Sequence, residues 1–507
     1  MIKKILAVSG IIILVSCTGP SDKTSILNSV QTSPGEVVME GVLAGYLEKG
    51  KQFLVNYIKD GNTFSDHGTG GSVPQWSGGH AGEWLYAASK VAERTRDPKM
   101  KKQVIAVADS LLTKIKKSNT LHLYKISMTE GIASATIIPY HEVQESIFQI
   151  AGLLEACKAS GDDRYLSGAE KITGYLEELY SGDSLSSRGS RVLWELSGTG
   201  FIGELIDLYT ISGTGGYLDF ARVCVENSKT PDGLDSDSGQ ITQVGLKTFG
   251  NKDFMAILNF YTGVARMYVH TGLKKYLTAS EGVWKSIKTN HVISEDRMSG
   301  YGAGEGYAPD TKTDTVSVLY DKILLMRSWQ LLNVELLQIT GNARYAEELD
   351  KIAYGKGPAP MNEGFNYLMS DEFPGNTNDY DSCRLIQIIS REEMARVAVT
   401  MDGDYVYLNI LGPCSLEYTH SMGSKVKISE VTDYPLDGRV SVKFGLEEKE
   451  YVQLHILIPS RADTFAVNVK GVHYLAKPGQ YSIIDREWKN GDVAEIYLSK
   501  KRNVKAN

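Results

Sequence analysis

The chain has 507 residues, of which 42% are hydrophobic and 23% charged, so it can bury a large core and is long enough for about two to four domains. A formal net charge of −7, with lysine and arginine dispersed along the chain, excludes an electrostatic nucleic-acid binder. The 28 tyrosines against 12 phenylalanines supply flat apolar faces that carry a hydroxyl, which suits contact with sugars and equally suits any half-buried position.

At the N-terminus, Lys3 and Lys4 precede a short apolar run from Ile5 to Val15, and Leu14-Val15-Ser16-Cys17 has the form of a bacterial lipobox. The run is too short to span a membrane, so residues 1–17 read as a cleaved lipoprotein signal, Cys17 as the lipidated residue and residues 18–36 as a polar tether. This predicts an exported lipoprotein on the outer membrane of a Gram-negative bacterium, at its periplasmic or its surface face. Four further cysteines form no CxxC pair. Cys157 continues the apolar stripe Val143, Ile147, Ile150, Leu154, and Cys224 falls beside Phe220 and Val223, so both read as core.

From about residue 37 to 355 the pattern is helical, and residues 37–390 are expected to form one catalytic barrel domain. In HAGEWLYAASKVAERTRD the apolar positions 81, 84, 85, 88, 91 and 92 form one face of a helix. SGDDRYL, SGTGGYL, TGLKKYL and TGNARYA each carry a glycine that ends one helix and a tyrosine four residues later that opens the next stripe. These glycines, at 161, 213, 272 and 341, stand far enough apart for two helices and a loop. Repeated helix pairs read as a solenoid or a closed ring, and the long glycine-rich inserts favour an (α/α)6 toroid whose loops build one pocket. From about Arg396 the period changes to two, with turns at Asp402-Gly403-Asp404 and Asp437-Gly438. The fold class is therefore α+β multidomain, a toroid followed by a C-terminal β-sandwich over residues 391–507.

Function is sought in the inserts, because loops carry chemistry on a packed scaffold. HGTGGSVPQWSGGH ends in His80 and contains Trp76; PYHEVQES places His141 and Glu142 at an expected helix start; YGAGEGYAPD exposes Glu305 and Tyr307; DYDSCR carries Asp379, Asp381, Cys383 and Arg384. At a helix N-terminus an imidazole is kept neutral and able to accept a proton, so His141 reads as a base or as a cap of its own helix. His80 reads as a loop-structural residue or a sugar contact, Glu305 as a proton donor or a solvated loop carboxylate, and Cys383 as a small buried side chain or a reactive one. The residues show no HExxH and no clustered cysteine ligands, so no metal or other cofactor is expected from them.

With these pieces placed, residues 75 to 497 resemble glycoside hydrolase family 127, the β-L-arabinofuranosidase group. HEVQESIFQIAGLLEACKASGD is similar to a helix of the family, TGNARYAEELDKIAYG to a segment that follows its active-site helix, and DGDYVYLNI, TDYPLDGRVSV, LHILIPSRA and REWKNGDVAEIYL to successive strands. The resemblance implies an (α/α)6 barrel with a β-sandwich. It also implies a zinc ion held by one glutamate and three cysteines, one cysteine serving as nucleophile and a loop glutamate as acid/base. Aligned on the neighbouring motifs, the Glu-x-Cys of the family falls on Lys322-Ile323-Leu324 and its Cys-Cys pair on Ser382-Cys383, while the loop glutamate is matched by Glu305. The zinc–thiolate site is thus not retained.

Three functions fit these expectations. The first is a glycoside hydrolase acting on the non-reducing end of plant or algal cell-wall oligosaccharides, with Glu305 as acid and Asp381 or Asp379 as the second carboxylate. The second is a lyase or dehydratase that makes an unsaturated uronic acid, with His141 as base, Lys322 or Arg384 against the substrate carboxylate, and Glu305 or a tyrosine as acid. The third is a sugar-binding protein without turnover. Trp76, His80, Glu142, Tyr307, Lys322 and Arg384 are the expected substrate contacts, and an oligosaccharide is the expected partner.

Overall fold

The computed structural model describes residues 37–59, 78–117, 134–181, 200–228, 254–290, 315–354 and 381–499. Twelve helices among these residues form two concentric layers. The inner layer comprises α2 (Gly78–Thr95), α4 (Ser134–Ser160), α6 (Ile202–Ser212), α8 (Phe254–Thr271), α10 (Thr315–Thr340) and α12 (Asp381–Ala398). Each packs against the next in this order and α12 returns to α2, which closes the ring. The outer helices are α1 (Gly41–Lys59), α3 (Pro98–Lys117), α5 (Asp163–Ser181), α7 (Gly215–Asn227), α9 (Lys274–Asn290) and α11 (Ala343–Ala353). Helix α1 covers the seam between α12 and α2.

Sequence chemistry assigns the layers. Outer helices α3 and α11 carry an apolar stripe opposite a charged face, whereas the long inner helices α4 and α10 are apolar on nearly every side, as enclosure requires. Each step from an inner to an outer helix takes a tight turn. Gly161, Gly213, Gly272 and Gly341 adopt φ of +76°, +71°, +67° and +61° at four of these turns, the left-handed region that glycine enters without a Cβ clash. Helices α2 and α4 cross so closely that a Cβ on Gly82 would lie 2.2 Å from the Phe148 carbonyl oxygen, and one on Gly152 2.4 Å from that of Gly82. All long connections run the other way, from outer to inner helix. The N-terminal turns of all six inner helices therefore meet at one end of the toroid and the short turns at the other.

Helix α12 continues through position 390 to Ala398, so the strand pattern expected from Arg396 begins at Val399. The sandwich strands after the toroid are β2 (Val399–Asp402), β3 (Tyr405–Leu408), β4 (Cys414–Thr419), β5 (Lys425–Thr432), β6 (Arg439–Leu446), β7 (Glu450–Ile458), β8 (Thr464–Val469), β9 (Val472–Tyr474), β10 (Gln480–Trp488) and β11 (Val493–Ser499), and β1 (Val37–Met39) precedes the toroid. They form a seven-stranded sheet, β1-β4-β5-β6-β11-β8-β9, and a four-stranded sheet, β10-β7-β3-β2. Strand β1 (Val37–Met39) precedes the whole toroid yet pairs with β4 (Cys414–Thr419), so both ends of the described chain are tied into one sheet. Phe444 stacks on Trp488 at 3.9 Å in the core between the sheets. Arg461 joins the two units: it pairs with the fully buried Asp350 of α11 at 2.8 Å and donates to the Tyr434 hydroxyl at 2.6 Å.

Candidate active site at the N-terminal ends of the inner helices

Two inner helices and one outer helix meet where α1 ends and α2 and α12 begin. His80, in the first turn of α2, lies at the centre. Its Nε2 is 2.7 Å from the Tyr57 hydroxyl; its Nδ1 is 2.9 Å from Ser382 Oγ and 3.1 Å from Glu83 Oε2. Burial, reinforced by the Asp381 and Glu83 carboxylates, holds the Tyr57 phenol well above the usual tyrosine range. The phenol therefore keeps its proton. Where it donates that hydrogen to Nε2, the ring proton stands on Nδ1 and faces Glu83 and Ser382. Ser382 is an acceptor in this arrangement, and His80 does not draw off its proton. A serine that did attack an anomeric carbon would form an ordinary alkyl glycoside, as hard to cleave as the substrate. The cluster is an oriented hydrogen-bond relay, and Ser382 is not its nucleophile.

Asp381 is the first residue of α12 and is buried, its negative charge placed at the positive end of the helix. Cys383 is fully buried. The Arg384 guanidinium lies 5.4 Å above the ring of Phe53 on the outer helix α1. These residues were expected on a loop. They form the opening turn of a helix instead, because an apolar run from Leu385 to Ile389 carries the segment into the ring wall. His80 was likewise expected ahead of its helix and lies inside it.

His141 is the eighth residue of α4, which begins at Ser134, and not a helix-start residue as expected. The helix dipole acts within the first turn, so it does not govern the protonation of His141. The side chains of His141, Glu142 and Lys322 lie outside the described residues, as do Trp76, Glu305, Tyr307, Asp379 and Cys17 altogether.

Deeper in the ring, the polar side of α2 continues past His80 and Glu83 to Tyr86, Lys90 and Arg94. Tyr86 donates to Glu393 Oε1 at 2.8 Å, Lys90 pairs with Glu155 at 2.8 Å, and Arg94 holds Glu392 with bonds of 2.7 and 2.8 Å. Arg327 of α10 also donates to Glu393, at 3.2 Å. A cavity of about 80 Å³ lies beside this column, lined by Tyr86, Glu204, Asn259, Arg266, Arg327 and Ser328 among others. None of Tyr57, Glu83, Tyr86, Glu204 or Arg327 was singled out from the sequence, and Ser382 entered only as the residue aligned with a family cysteine. The available signal was the spacing 80, 83, 86, 90, 94, a polar stripe on a helix whose opposite face is wholly apolar.

Residues 64–365 match the family model described as the catalytic domain of GH127 β-L-arabinofuranosidase, and residues 405–500 match that of its middle domain. The chain belongs to glycoside hydrolase family 127. No curated protein sequence matches it. Among solved structures, a GH127 β-arabinofuranosidase is 16% identical, with 93% of this chain and 81% of the other covered at a TM-score of 0.65. A GH127 β-L-arabinofuranosidase from Geobacillus stearothermophilus T6 is also 16% identical, with coverages of 91% and 81% and a TM-score of 0.63. A third structure, described as a glycoside hydrolase, is 17% identical, with coverages of 94% and 79% and a TM-score of 0.61. These neighbours share the fold, the toroid with its appended sandwich.

The residues present in this family 127 chain do not suit a zinc ion held by three thiolates and a carboxylate. Ile323 is packed in the core and Leu324 lines the central cavity, so neither can ligate. Ser382 is engaged by His80. Cys157 lies at the far end of α4, Cys224 on an outer helix and Cys414 in the sandwich, which leaves Cys383 as the one thiol among the described residues near the N-terminal ends of the inner helices. No three His, Cys, Asp or Glu side chains among the described residues are placed to hold a metal ion.

Proposed function

We propose that this family 127 glycoside hydrolase removes sugars from the non-reducing end of plant or algal cell-wall oligosaccharides by carboxylate acid/base chemistry, in place of a zinc-bound thiolate. The observation that carries the reading is the His80 cluster. At the wall of the bowl, where Ser382 and Cys383 stand, a hydroxyl sits in a hydrogen-bond relay and the one neighbouring thiol is sealed in the core. Two carboxyl groups across a glycosidic bond suffice for hydrolysis, one to protonate the leaving oxygen and one to activate water or to attack. Asp381, at the cluster, and Glu305, in the glycine-rich insert before α10, are the pair assigned from the sequence. The lipobox at Cys17 supports export on a lipid anchor, which would hold the enzyme where oligosaccharides arrive at the outer membrane.

The test is mass spectrometry of products from a panel of plant and algal oligosaccharides. Hydrolysis adds the mass of one water across the two fragments. Fragments that together add none, one of them absorbing near 230 nm (roughly, as a conjugated enoate), show elimination and overturn the hydrolytic reading. Affinity with no product at all, across a broad panel, makes the chain a binding protein. In cells that process lipoproteins, Cys17→Ala is expected to release the enzyme from the membrane fraction, and unchanged fractionation removes the anchor.

A further inference from the structure

Glu204 is the one carboxylate among the described residues that lines the cavity of about 80 Å³ in the middle of the ring. It is the third residue of α6, so it stands close to the loop end of the bowl, and it is half-buried. In ring order α6 lies opposite α12, which puts Glu204 across the bowl from Asp381 and the His80 relay. Neighbouring helix axes packed about 8–10 Å apart place opposite axes of a six-membered ring about 16–20 Å apart. That span leaves room for one sugar between side chains reaching inward from both walls.

The carboxylates around it have ionic partners. Glu155 is held by Lys90 and Lys158, Asp207 and Glu335 by Arg266, and Glu393 by Arg327. Glu204 makes no ion pair with any described residue, although Arg266 of α8 and Arg327 of α10 line the same cavity. Burial pushes its carboxyl up to about 7, with a further push from Asp207, against the opposing pull of Arg266, Arg327 and its own backbone N–H, which donates to the carboxylate. Helix α4 presents only Ile147, Phe148 and Ala151 to this cavity, so nothing from that side offsets the burial. A carboxyl group that keeps its proton near neutrality, reaches a cavity and is not held in an ion pair has the properties of a general acid.

We propose that Glu204 is a catalytic proton donor of this enzyme, delivering its proton to the glycosidic oxygen from the wall opposite α12. The inference rests on the hydrolytic reading above and gives to Glu204 the proton-donor role that the sequence assigned to Glu305, with Asp381 kept as the second carboxylate. As the bond between the anomeric carbon and the glycosidic oxygen breaks, the Glu204 proton moves to that oxygen and the leaving group departs as an alcohol. The water that adds to the anomeric carbon gives up one proton, and a proton returned through solvent restores the carboxyl.

The experiment compares substrates that need a proton donor with substrates that do not. On a natural oligosaccharide with an alcohol leaving group, Glu204→Gln is expected to lower kcat/KM by about 100-fold or more, within the usual range for a lost acid. On an aryl glycoside with a strongly acidic phenol as leaving group, the variant should retain most of the wild-type rate. The alkaline limb of the wild-type pH profile, falling near pH 7, should be absent in the variant. Equal losses on both substrates, or no loss on either, would overturn the assignment, as would the same leaving-group signature appearing in Glu305→Gln and not in Glu204→Gln. Should the glutamine variant misfold, the leaving-group dependence of Glu204→Asp, which retains the acid on a shorter arm, decides the same question. A wild type inactive on every glycoside refutes the hydrolytic reading itself and is thereby distinguished from failure of this inference.

Discussion

At the scale of single residues, the site is organised by what each group cannot do. Tyr57, buried beside Asp381 and Glu83, cannot readily lose its proton, and with that proton donated to His80 the imidazole presents its own to Glu83 and Ser382. Cys383, at zero exposure, has no path to a sugar. Cys383→Ala is expected to keep most of the activity and to lose about 1 kcal/mol of stability, the usual effect of trimming a small core side chain. His80→Gln breaks the relay on at least one side and is expected to lower kcat about tenfold or more. Steady-state kinetics and thermal melts on the two variants check both statements; an inactive, metal-depleted Cys383→Ala would restore thiolate chemistry. The polar stripe of α2 was open to inspection in the sequence, but the apolar positions alongside it drew the reading toward packing. His80, Glu83, Tyr86, Lys90 and Arg94 acquire meaning only when the helix is known to be enclosed on every side.

At the scale of elements, the helix ends show how chemistry and position are joined. A carboxylate in the opening turn of α12 is placed favourably, whereas a histidine two turns into α4 receives nothing from the dipole. In the sandwich, Glu430 on β5 (Lys425–Thr432) is fully enclosed, accepts from the Gly412 amide at 2.9 Å, and is pushed by burial up to about 8 from an ordinary 4.5. Between those two values the folded chain holds a proton that the unfolded chain has already released. Stability from this group is therefore present below about pH 4.5 and is lost as the pH rises toward 8. Glu430→Gln retains an acceptor for Gly412 without a titrating proton, so its melting temperature should fall less than that of the parent between pH 6 and 8. Equal falls in both proteins would show that Glu430 does not set the slope. The glycine turns and the tyrosine four residues after each were legible because they depend on local backbone geometry alone.

At the scale of the whole molecule, the toroid and sandwich act as one body because Arg461 reaches from one into the other. Its guanidinium packs over the rings of Tyr354 and Tyr434 while pairing with Asp350. Burial pushes Asp350 up to about 7, with Arg461 drawing it back down. Arg461→Met removes the partner of an enclosed carboxylate and is expected to cost about 3 kcal/mol at pH 8, and less at pH 6, where the carboxyl takes up a proton. Urea unfolding followed by separate probes should show the two units parting before either melts; a single unshifted transition would mean the contact is dispensable. The same closure creates the active-site bowl, since all six inner helices present their N-termini to one end and the long inserts arise there.

Taken alone, the amino-acid order determined the helical and stranded periods, the inner-to-outer turns, the two-part architecture and the family, since each follows from neighbouring residues or from motifs in a fixed succession. It left open which polar side chains share a site. His80 and Ser382 stand 302 positions apart and meet only because the ring closes with α2 beside α12. Glu204 is a plain acidic residue on a short helix until α8 and α10 bring two arginines and a cavity against it. A side chain's exposure and electric surroundings are set by the elements packed around it, and those are properties of the assembled ring that no short window of sequence contains.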